Sequence, residues 1–269
     1  MNIRTIKTGS VRVSPAIPNG NAHWFKYAYT GLFQFRSNRI VVPVKCFYVT
    51  VGNHHILIDA GWSLEVVEHP IKHLGFLIWF SSEPIMKSEE AAINQLKDEP
   101  IDGIYMTHLD CDHASGLKDF NNVPLFVSKE EYDYSQSNRI RYGSFADYTY
   151  SYFEFKDDPL APFNKSMDIF GDNTVIAYLT PTHSAGSVIY RINDIENNKF
   201  ALIIGDNGYN EDSWKKGFLP GLLYNEENAK LCLNWIKEQS EKENCLGIYA
   251  AHDPIDRWRI ILFNLFIYF

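Results

Sequence analysis

The six residues at 108–113, His-Leu-Asp-Cys-Asp-His, form the densest cluster of metal-binding side chains in the sequence. In an extended segment, the side chains at positions i, i+2 and i+4 point to the same side. This spacing predicts that His108, Asp110 and Asp112 converge, and that His113 points elsewhere and serves a second metal. Imidazole and carboxylate are the ligands expected for Zn, Fe or Mn. A polar loop whose carboxylates accept from backbone amides is the alternative.

Three further loops each carry one metal-binding residue after a hydrophobic strand pattern. His183 follows TVIAYLTPT, Asp206 follows ALIIG, and His252 follows LGIYAA. Functional residues collect at the carboxyl ends of strands in layered α/β folds. Each of the three alone is more typical of a hydrogen-bonded loop residue. Together with the cluster at 108–113, they indicate one composite metal site.

The chain is predicted to form one domain, residues 1–269, because strand and helix patterns alternate along it without a linker or repeat. Strands are predicted within 11–17, 39–51, 54–61, 102–107, 123–127, 174–183, 187–193, 199–208 and 246–254, and helices within 87–98, 128–136 and 227–243. Residues 138–165 are expected to run over the surface, and the apolar end at 260–269 to form a buried strand. GFLIWF at 75–80 is expected in the core, with a dimer contact or a pocket wall as alternatives.

The charge and the cysteines exclude several classes of partner. A net charge of −8 argues against nucleic acid, which needs a basic face. Four scattered cysteines without a CxxC pair predict reduced thiols in a cytoplasmic protein. The N-terminus lacks the apolar run of a signal peptide, and the apolar C-terminal run is too short to span a bilayer, so we expect no membrane partner. The sequence leaves open whether the protein forms a homodimer.

The order HLDCDH, TPTHSAGS, GD and AHDP resembles the metallo-β-lactamase superfamily. That family has HxHxDH, a His in a TPGHTPGS-like turn, an Asp after a strand, and a last His. Asp59 in ILIDAG matches a supporting acidic residue of the family. The resemblance spans roughly residues 40–253 and implies an α/β fold, a four-layer αββα sandwich with its site at one edge of the two sheets.

The resemblance also implies two divalent metal ions, with zinc as the metal that is usual in the family. Metal 1 would be held by His108, Asp110 and His183, metal 2 by Asp112, His113 and His252, and Asp206 would bridge them. Two such cations lower the pKa of a bridging water, and the resulting hydroxide attacks a carbonyl. Asp112 is expected to receive the proton of that water and pass it to the leaving group.

One position departs from the family pattern, because Asp110 stands where the second histidine is usual. With two divalent cations, three carboxylates and one bridging hydroxide, the site sums to neutral, whereas the usual histidine would leave one positive charge. The additional oxygen ligand favours Mn or Fe over Zn. A carboxylate at this position also resembles the flavodiiron branch of the family, in which Glu replaces the histidine. A di-iron redox enzyme is therefore an alternative, although the chain has no room for the flavin domain that would deliver electrons.

Tyr209 indicates the substrate. It lies three residues after Asp206, and this offset resembles the N-acyl homoserine lactonase branch, where a Tyr hydrogen-bonds the substrate carbonyl. A phenol there can donate to the developing oxyanion. The alternative is a packing residue, one of sixteen tyrosines. We expect a hydrolase of a small-molecule ester, with a lactone as the leading substrate. Thioester or phosphodiester hydrolysis, and metals used only for binding or stability, remain alternatives.

The remaining cysteine and histidine residues are assigned no chemistry. Cys111 alternates away from the ligands and is expected to be a small buried filler. The histidines outside the motifs are expected on the surface or in loops: His23, His54, His55, His69 and His73.

Overall fold

Two mixed β-sheets form the centre of the protein in the computed structural model, which describes residues 1–20 and 35–255. The first sheet contains, from edge to edge, β4 (Glu83–Ile85), β1 (Asn2–Val13), β2 (Ile40–Val51), β3 (His54–Ile58), β5 (Gly103–Tyr105), β6 (Leu125–Val127) and β7 (Ser151–Tyr152). The second contains β13 (Cys245–Ala250), β12 (Lys199–Gly205), β11 (Val188–Asp194), β10 (Val175–Leu179), β9 (Lys165–Asp168) and β8 (Lys156–Asp157). The pairs β3–β5, β5–β6, β6–β7 and β12–β13 are parallel, and the other pairs are antiparallel.

Helices cover the outer faces of the two sheets. They are α1 (Leu64–Glu68), α2 (Pro70–Leu74), α3 (Phe76–Ser81), α4 (Ala92–Gln95), α5 (Cys111–Ala114), α6 (Lys129–Ser137), α7 (Arg139–Tyr142), α8 (Glu211–Lys216) and α9 (Glu226–Ser240). Short 3-10 turns lie at Arg36–Asn38, Ser88–Glu90, Ser115–Asp119 and Gly143–Asp147. In the described part of the chain, none of the helices combines the length and the hydropathy needed to cross a membrane.

The alternation of side chains along β2 shows how the layers form. Cys46 and Tyr48 point to a core between the first sheet and its helices, whereas Phe47 and Val49 point to a core between the two sheets. A third core lies between the second sheet and its helices and includes Ile236 of α9. Successive side chains of a strand point to opposite faces, so each sheet needs cover on both sides. The result is the four-layer αββα sandwich that the resemblance implies.

The longer elements confirm the sequence predictions. Eight of the nine predicted strands correspond to β2, β3, β5, β6, β10, β11, β12 and β13, and α6 and α9 form where strand-to-helix and amphipathic patterns predict them. The strand predicted at 11–17 is displaced, because β1 covers Asn2–Val13, and the short strands β4, β7, β8 and β9 were not predicted. Helix α9 begins after an N-cap residue, Asn225, whose side chain accepts a hydrogen bond from the Asn228 amide. The stretch at 260–269, predicted as a buried strand, lies outside the described residues.

Three predictions about irregular segments are wrong. Residues 87–98 form a 3-10 turn and a single helical turn, because Ala91 between them adopts an extended conformation. GFLIWF is not core: it forms α3 without a buried residue, and Phe76 and Leu77 are exposed. Residues 138–165 are not only a surface excursion, because Tyr142, Phe145 and other aromatic residues there are buried in the first core.

Candidate metal centre

The seven predicted ligands lie on loops and short turns that follow strands of both sheets. His108 and Asp110 follow β5, His183 follows β10, Asp206 follows β12, and His252 follows β13, whereas Asp112 and His113 lie on α5. The structure brings six of them into two groups. One group is His108, His183 and Asp206, and the other is Asp112, His113 and His252; within each group the candidate ligand atoms all lie within 4.8 Å of one another.

The backbone at 110–114 differs from the extended segment that the alternation argument assumed. The Asp110 carbonyl accepts hydrogen bonds from the amides of His113 and Ala114, which closes a helical turn. The side chains of Asp112 and His113 therefore both point toward His252, and Asp112 is not in the same group as His108. The prediction that His108, Asp110 and Asp112 converge on one side is wrong for Asp112.

Each of the four histidines is held by its Nδ1 atom, which leaves Nε2 facing the centre. A backbone carbonyl only accepts, so the Nδ1–H groups of His183 and His252 donate to Leu222 and Pro43 at 3.0 and 2.7 Å. His113 Nδ1 lies 2.8 Å from a carboxylate oxygen of Asp59. His108 Nδ1 lies 2.9 Å from Thr107 Oγ1, whose proton goes to Asp59. Such partners fix the tautomer and orientation of metal-binding histidines.

Asp59 holds Thr107 and His113 in place through hydrogen bonds. It is fully buried, and its carboxylate accepts from the Thr107 amide at 2.8 Å, from the Thr107 hydroxyl and from His113. Its φ of 59° lies in the left-handed region, which is uncommon for a residue other than glycine. The chain therefore accepts local strain at the point that orients His113, which agrees with the supporting role that the resemblance implies.

The chemistry of the donor atoms fits bound cations. His108 Nε2, His113 Nε2 and Asp206 Oδ1 are buried, and none of them has a hydrogen-bond partner among the described residues. Asp206 Oδ1 lies 3.2 Å from His113 Nε2 and 3.3 Å from His252 Nε2, and Oδ2 lies 3.9 Å from His183 Nε2. Buried polar atoms without partners are rare and need a cause. Asp206 stands between the two groups, so the arrangement fits a dinuclear site.

Burial and charge act against each other on two carboxylates of the centre. Burial alone would raise the pKa of Asp206, but the charges of His252 and His113 hold that pKa well below its ordinary value. Burial would likewise raise the pKa of Asp110, and the charge and hydrogen bonds of Arg141 hold it well below its ordinary value. Both groups are therefore carboxylates that can bind a cation.

Asp110 makes an ion pair that no sequence motif indicates. Arg141 on α7 donates from Nε to Oδ1 at 2.6 Å and from Nη2 to Oδ2 at 2.7 Å. The positive charge of this guanidinium balances the additional carboxylate, so the neutral charge sum predicted from the sequence is incomplete. With Arg141 included, a centre holding two divalent cations would have the one positive charge that the usual histidine would leave.

A cavity of about 680 Å³ opens onto the centre. Asp110, Asp112, Asp206 and His252 lie at its polar end. Its walls are mostly apolar and include Val11, Ile17, Val42, Leu77, Ile78 and Leu222. The α3 segment, predicted as core, is therefore one wall of this cavity, the alternative that the sequence left open. Pockets with apolar walls and a few converging polar groups are typical of small-molecule sites.

Tyr209 lines the same cavity beside the polar end. Its ring stacks on His252 with centroids 4.9 Å apart and an angle of 16° between planes. Burial, followed by the charge of Asp206, raises the pKa of the phenol well above its ordinary value. The hydroxyl is therefore protonated at neutral pH and can act as a hydrogen-bond donor.

The other residues singled out in the sequence belong to neither group, although Cys111 lies between Asp110 and Asp112 and lines the same cavity. Cys111 is buried, as predicted for a filler. His54 and His55 lie on β3, and His69 is exposed. His73 is not a surface residue: its side chain is 6% exposed, and Nε2 lies 2.9 Å from Ser115 Oγ. His23 lies outside the described residues.

Asp110→His is expected to shift metal preference toward zinc and to destabilise the protein. Imidazole replaces an oxygen ligand, which favours Zn over Mn. Arg141 loses its carboxylate partner, and for a fully buried ion pair such a loss costs about 3–5 kcal/mol, an upper limit for this partly exposed pair. Competition between Mn and Zn measures the preference, and thermal unfolding of the metal-free protein measures the stability.

A double variant separates these two effects. Asp110→His with Arg141→Met removes the unpaired cation, so we expect recovered stability with the zinc preference retained. An unchanged Mn-to-Zn affinity ratio in both variants would show that Asp110 does not contact metal.

The metallo-beta-lactamase superfamily profile matches residues 39–241. The fold, the order of the ligand residues and this match agree: the chain belongs to the metallo-β-lactamase superfamily. Among curated proteins, it is 27% identical over 231 residues to the N-acyl homoserine lactonase AttM of Azorhizobium caulinodans, covering 81% of this chain and 84% of that protein. It is 26% identical to the N-acyl homoserine lactonase AiiA of Bacillus thuringiensis subsp. kurstaki, covering 79% and 82%.

Solved structures support the fold independently. An N-acyl homoserine lactone hydrolase with the product N-hexanoyl-L-homoserine bound at its catalytic metal centre superposes with a TM-score of 0.71 at 21% identity, covering 94% of this chain and 93% of that chain. The dizinc quorum-quenching lactonase AidC superposes with a TM-score of 0.63 at 13% identity, covering 94% and 87%. Both have the αββα architecture of this chain.

Proposed function

We propose that this protein is a metal-dependent hydrolase that opens the ring of a lactone, with N-acyl homoserine lactones as the substrate class. The observation that carries the proposal is the convergence of two groups of metal-binding side chains at the polar end of an apolar cavity. The curated relatives with this fold are N-acyl homoserine lactonases, which favours the same chemistry here.

Seven residues would hold two divalent cations: His108, Asp110, His183, Asp112, His113, His252 and the shared Asp206. The cations would supply a water of lowered pKa and polarise the carbonyl. Tyr209 donates a hydrogen bond to the carbonyl oxygen, where negative charge develops. Asp112, at the polar end of the cavity, receives the proton of the attacking water and returns it to the ring oxygen as the ester bond breaks.

The cavity walls suit the acyl chain of such a substrate. Val42, Leu77 and Ile78 present aliphatic surface next to the polar end. An acyl chain placed there leaves water, and burial contributes about 0.8 kcal/mol for each methylene group. We therefore expect KM to fall as the acyl chain lengthens until the cavity is filled.

We propose zinc as the metal and the cytoplasm as the location. Four histidine Nε2 atoms and three carboxylates form a donor set that zinc accepts. Asp110 adds an oxygen ligand that supports Fe or Mn as the alternative. The cysteines Cys46, Cys111, Cys232 and Cys245 are free thiols, which agrees with a reducing compartment.

A substrate panel tests the function. The protein, purified without chelator, is assayed with N-acyl homoserine lactones of increasing acyl length, a thioester and a phosphodiester, and chelator-treated protein serves as the control. We expect lactone hydrolysis that disappears on metal removal and returns on readdition. Faster hydrolysis of the thioester or the phosphodiester would assign the site to that chemistry. Metal content dominated by iron, with visible absorption, would favour the di-iron redox alternative.

A further inference from the structure

Arg141 reaches the metal centre from α7, outside every motif in the sequence. Its guanidinium donates to both carboxylate oxygens of Asp110, and Nη2 also lies 2.8 Å from His183 Nε2. Two parallel N–H···O bonds from one guanidinium are the strongest geometry for binding a carboxylate. The side chains of Asp110 and Arg141 are 17% and 25% exposed, so water screens the pair only in part.

The contact with His183 occupies a metal-binding lone pair. His183 Nδ1 donates to the Leu222 carbonyl, so Nε2 of the neutral imidazole carries the lone pair and accepts from Nη2 of Arg141 at 2.8 Å. The same Nε2 atom lies 2.9 Å from Asp110 Oδ2, so the guanidinium, the carboxylate and the imidazole meet at one point. Asp110 Oδ2 accepts from the same Nη2 atom. A cation of the protein itself therefore contacts two of the four residues at the first metal position, which we call site 1: His108, Asp110, His183 and Asp206.

The second position, site 2, has different surroundings. It comprises Asp112, His113 and His252, with Asp206 shared. His252 Nε2 lies 3.5 Å from Asp112 and 3.3 Å from Asp206, and the Nε2 atom of His113 is without a hydrogen-bond partner among the described residues. The charged groups at these ligand atoms are carboxylates, which attract a divalent cation and need not move to admit one.

We propose that Arg141 is an internal counter-cation for site 1, which competes with the metal there and makes site 1 load after site 2 and more weakly. A divalent ion at site 1 must displace Nη2 from His183 and share Asp110 with the guanidinium, and the two cations repel each other. Site 2 requires no such displacement. This inference rests on the proposed function, because it takes the seven residues as ligands of two ions.

Metal titration of the chelator-treated protein tests the proposal. Isothermal titration calorimetry with Zn²⁺, supported by native mass spectrometry, should show two binding steps of unequal affinity in the wild type. In Arg141→Gln, we expect the weaker step to tighten by roughly tenfold or more, the scale on which outer-sphere partners change metal affinity, and the stronger step to change little. Gln has no charge but can still donate to Asp110.

Two further variants make the test specific. Arg139→Gln removes the same charge two residues away on α7, where Arg139 pairs with Asp147 on the surface, and both steps should stay at wild-type affinity. Arg141→Lys keeps the charge but cannot span Asp110 and His183 together, so we expect a smaller tightening than in Arg141→Gln. This variant carries the test if Arg141→Gln does not fold.

The outcomes distinguish the inference from the function. Two ions in the wild type, with a weaker step that stays unchanged or weakens further in both Arg141 variants, would overturn the role of Arg141 and leave the proposed function intact. A wild-type protein that binds no ion, or only one, would remove the proposed function. Tightening in Arg139→Gln as large as in Arg141→Gln would reduce the effect to net charge and overturn the inference.

Discussion

Tyr209→Phe is expected to lower kcat for an N-acyl homoserine lactone by roughly ten- to a thousand-fold, the scale of losing one side-chain donor to an oxyanion. Tyr209 lines the cavity and stacks on His252, so it would stand next to the carbonyl of a lactone bound at the metal centre. Its raised pKa keeps the phenol protonated. The loss should appear in kcat/KM as well, because the contact strengthens only as charge develops.

Metal content and a second tyrosine serve as controls for this variant. The ions per chain should stay at the wild-type number, because the phenol is not among the seven ligands. Tyr178→Phe changes a buried tyrosine that packs on Trp235 in the core behind the second sheet, and its lactone kinetics should match the wild type. An unchanged lactone rate in Tyr209→Phe would make Tyr209 a packing residue and remove one reason for preferring lactones.

His183→Ala and His252→Ala are each expected to remove one ion and to lower lactone turnover at least as far as Tyr209→Phe. The two histidines belong to different groups of ligand atoms, so each variant should lose a different ion. Native mass spectrometry should show one ion per chain in each variant, against two in the wild type. His69→Ala, which changes an exposed histidine, is the control and should keep two ions. Loss of both ions in both variants would mean that the groups do not bind independently.

Local patterns predict the strands and the positions of the candidate ligands, whereas the four-layer arrangement and the two-metal assignment were implied by the resemblance to the superfamily. Runs of β-branched residues such as those in β2 and β12 identify strands, and His183, Asp206 and His252 stand out where such runs end. The grouping of Asp112 with His113 was not predictable by alternation, because a helical turn closed by the Asp110 carbonyl replaces the extended segment. That turn depends on hydrogen bonds, not on hydrophobic spacing.

Long-range contacts are what the sequence does not reveal. Arg141 lies thirty-one residues after Asp110, in a stretch predicted as a surface excursion, and nothing near it indicates an ion pair with a candidate ligand. A strongly charged residue within an aromatic segment was the one available signal. The α3 run is similar: an apolar run predicts burial, but Leu77 is exposed because it lines the cavity, and nothing in the structure explains the exposure of Phe76.

Lactone turnover measured against the number of ions bound tests the central claim most directly. Chelator-treated protein is loaded with counted equivalents of Zn²⁺, the ions per chain are determined by native mass spectrometry, and hydrolysis of one N-acyl homoserine lactone is followed at each step. We predict saturation at two ions, with turnover that rises mainly as the second ion binds. Saturation at one ion, or lactone hydrolysis by the metal-free protein, would contradict a dinuclear metal-dependent lactonase.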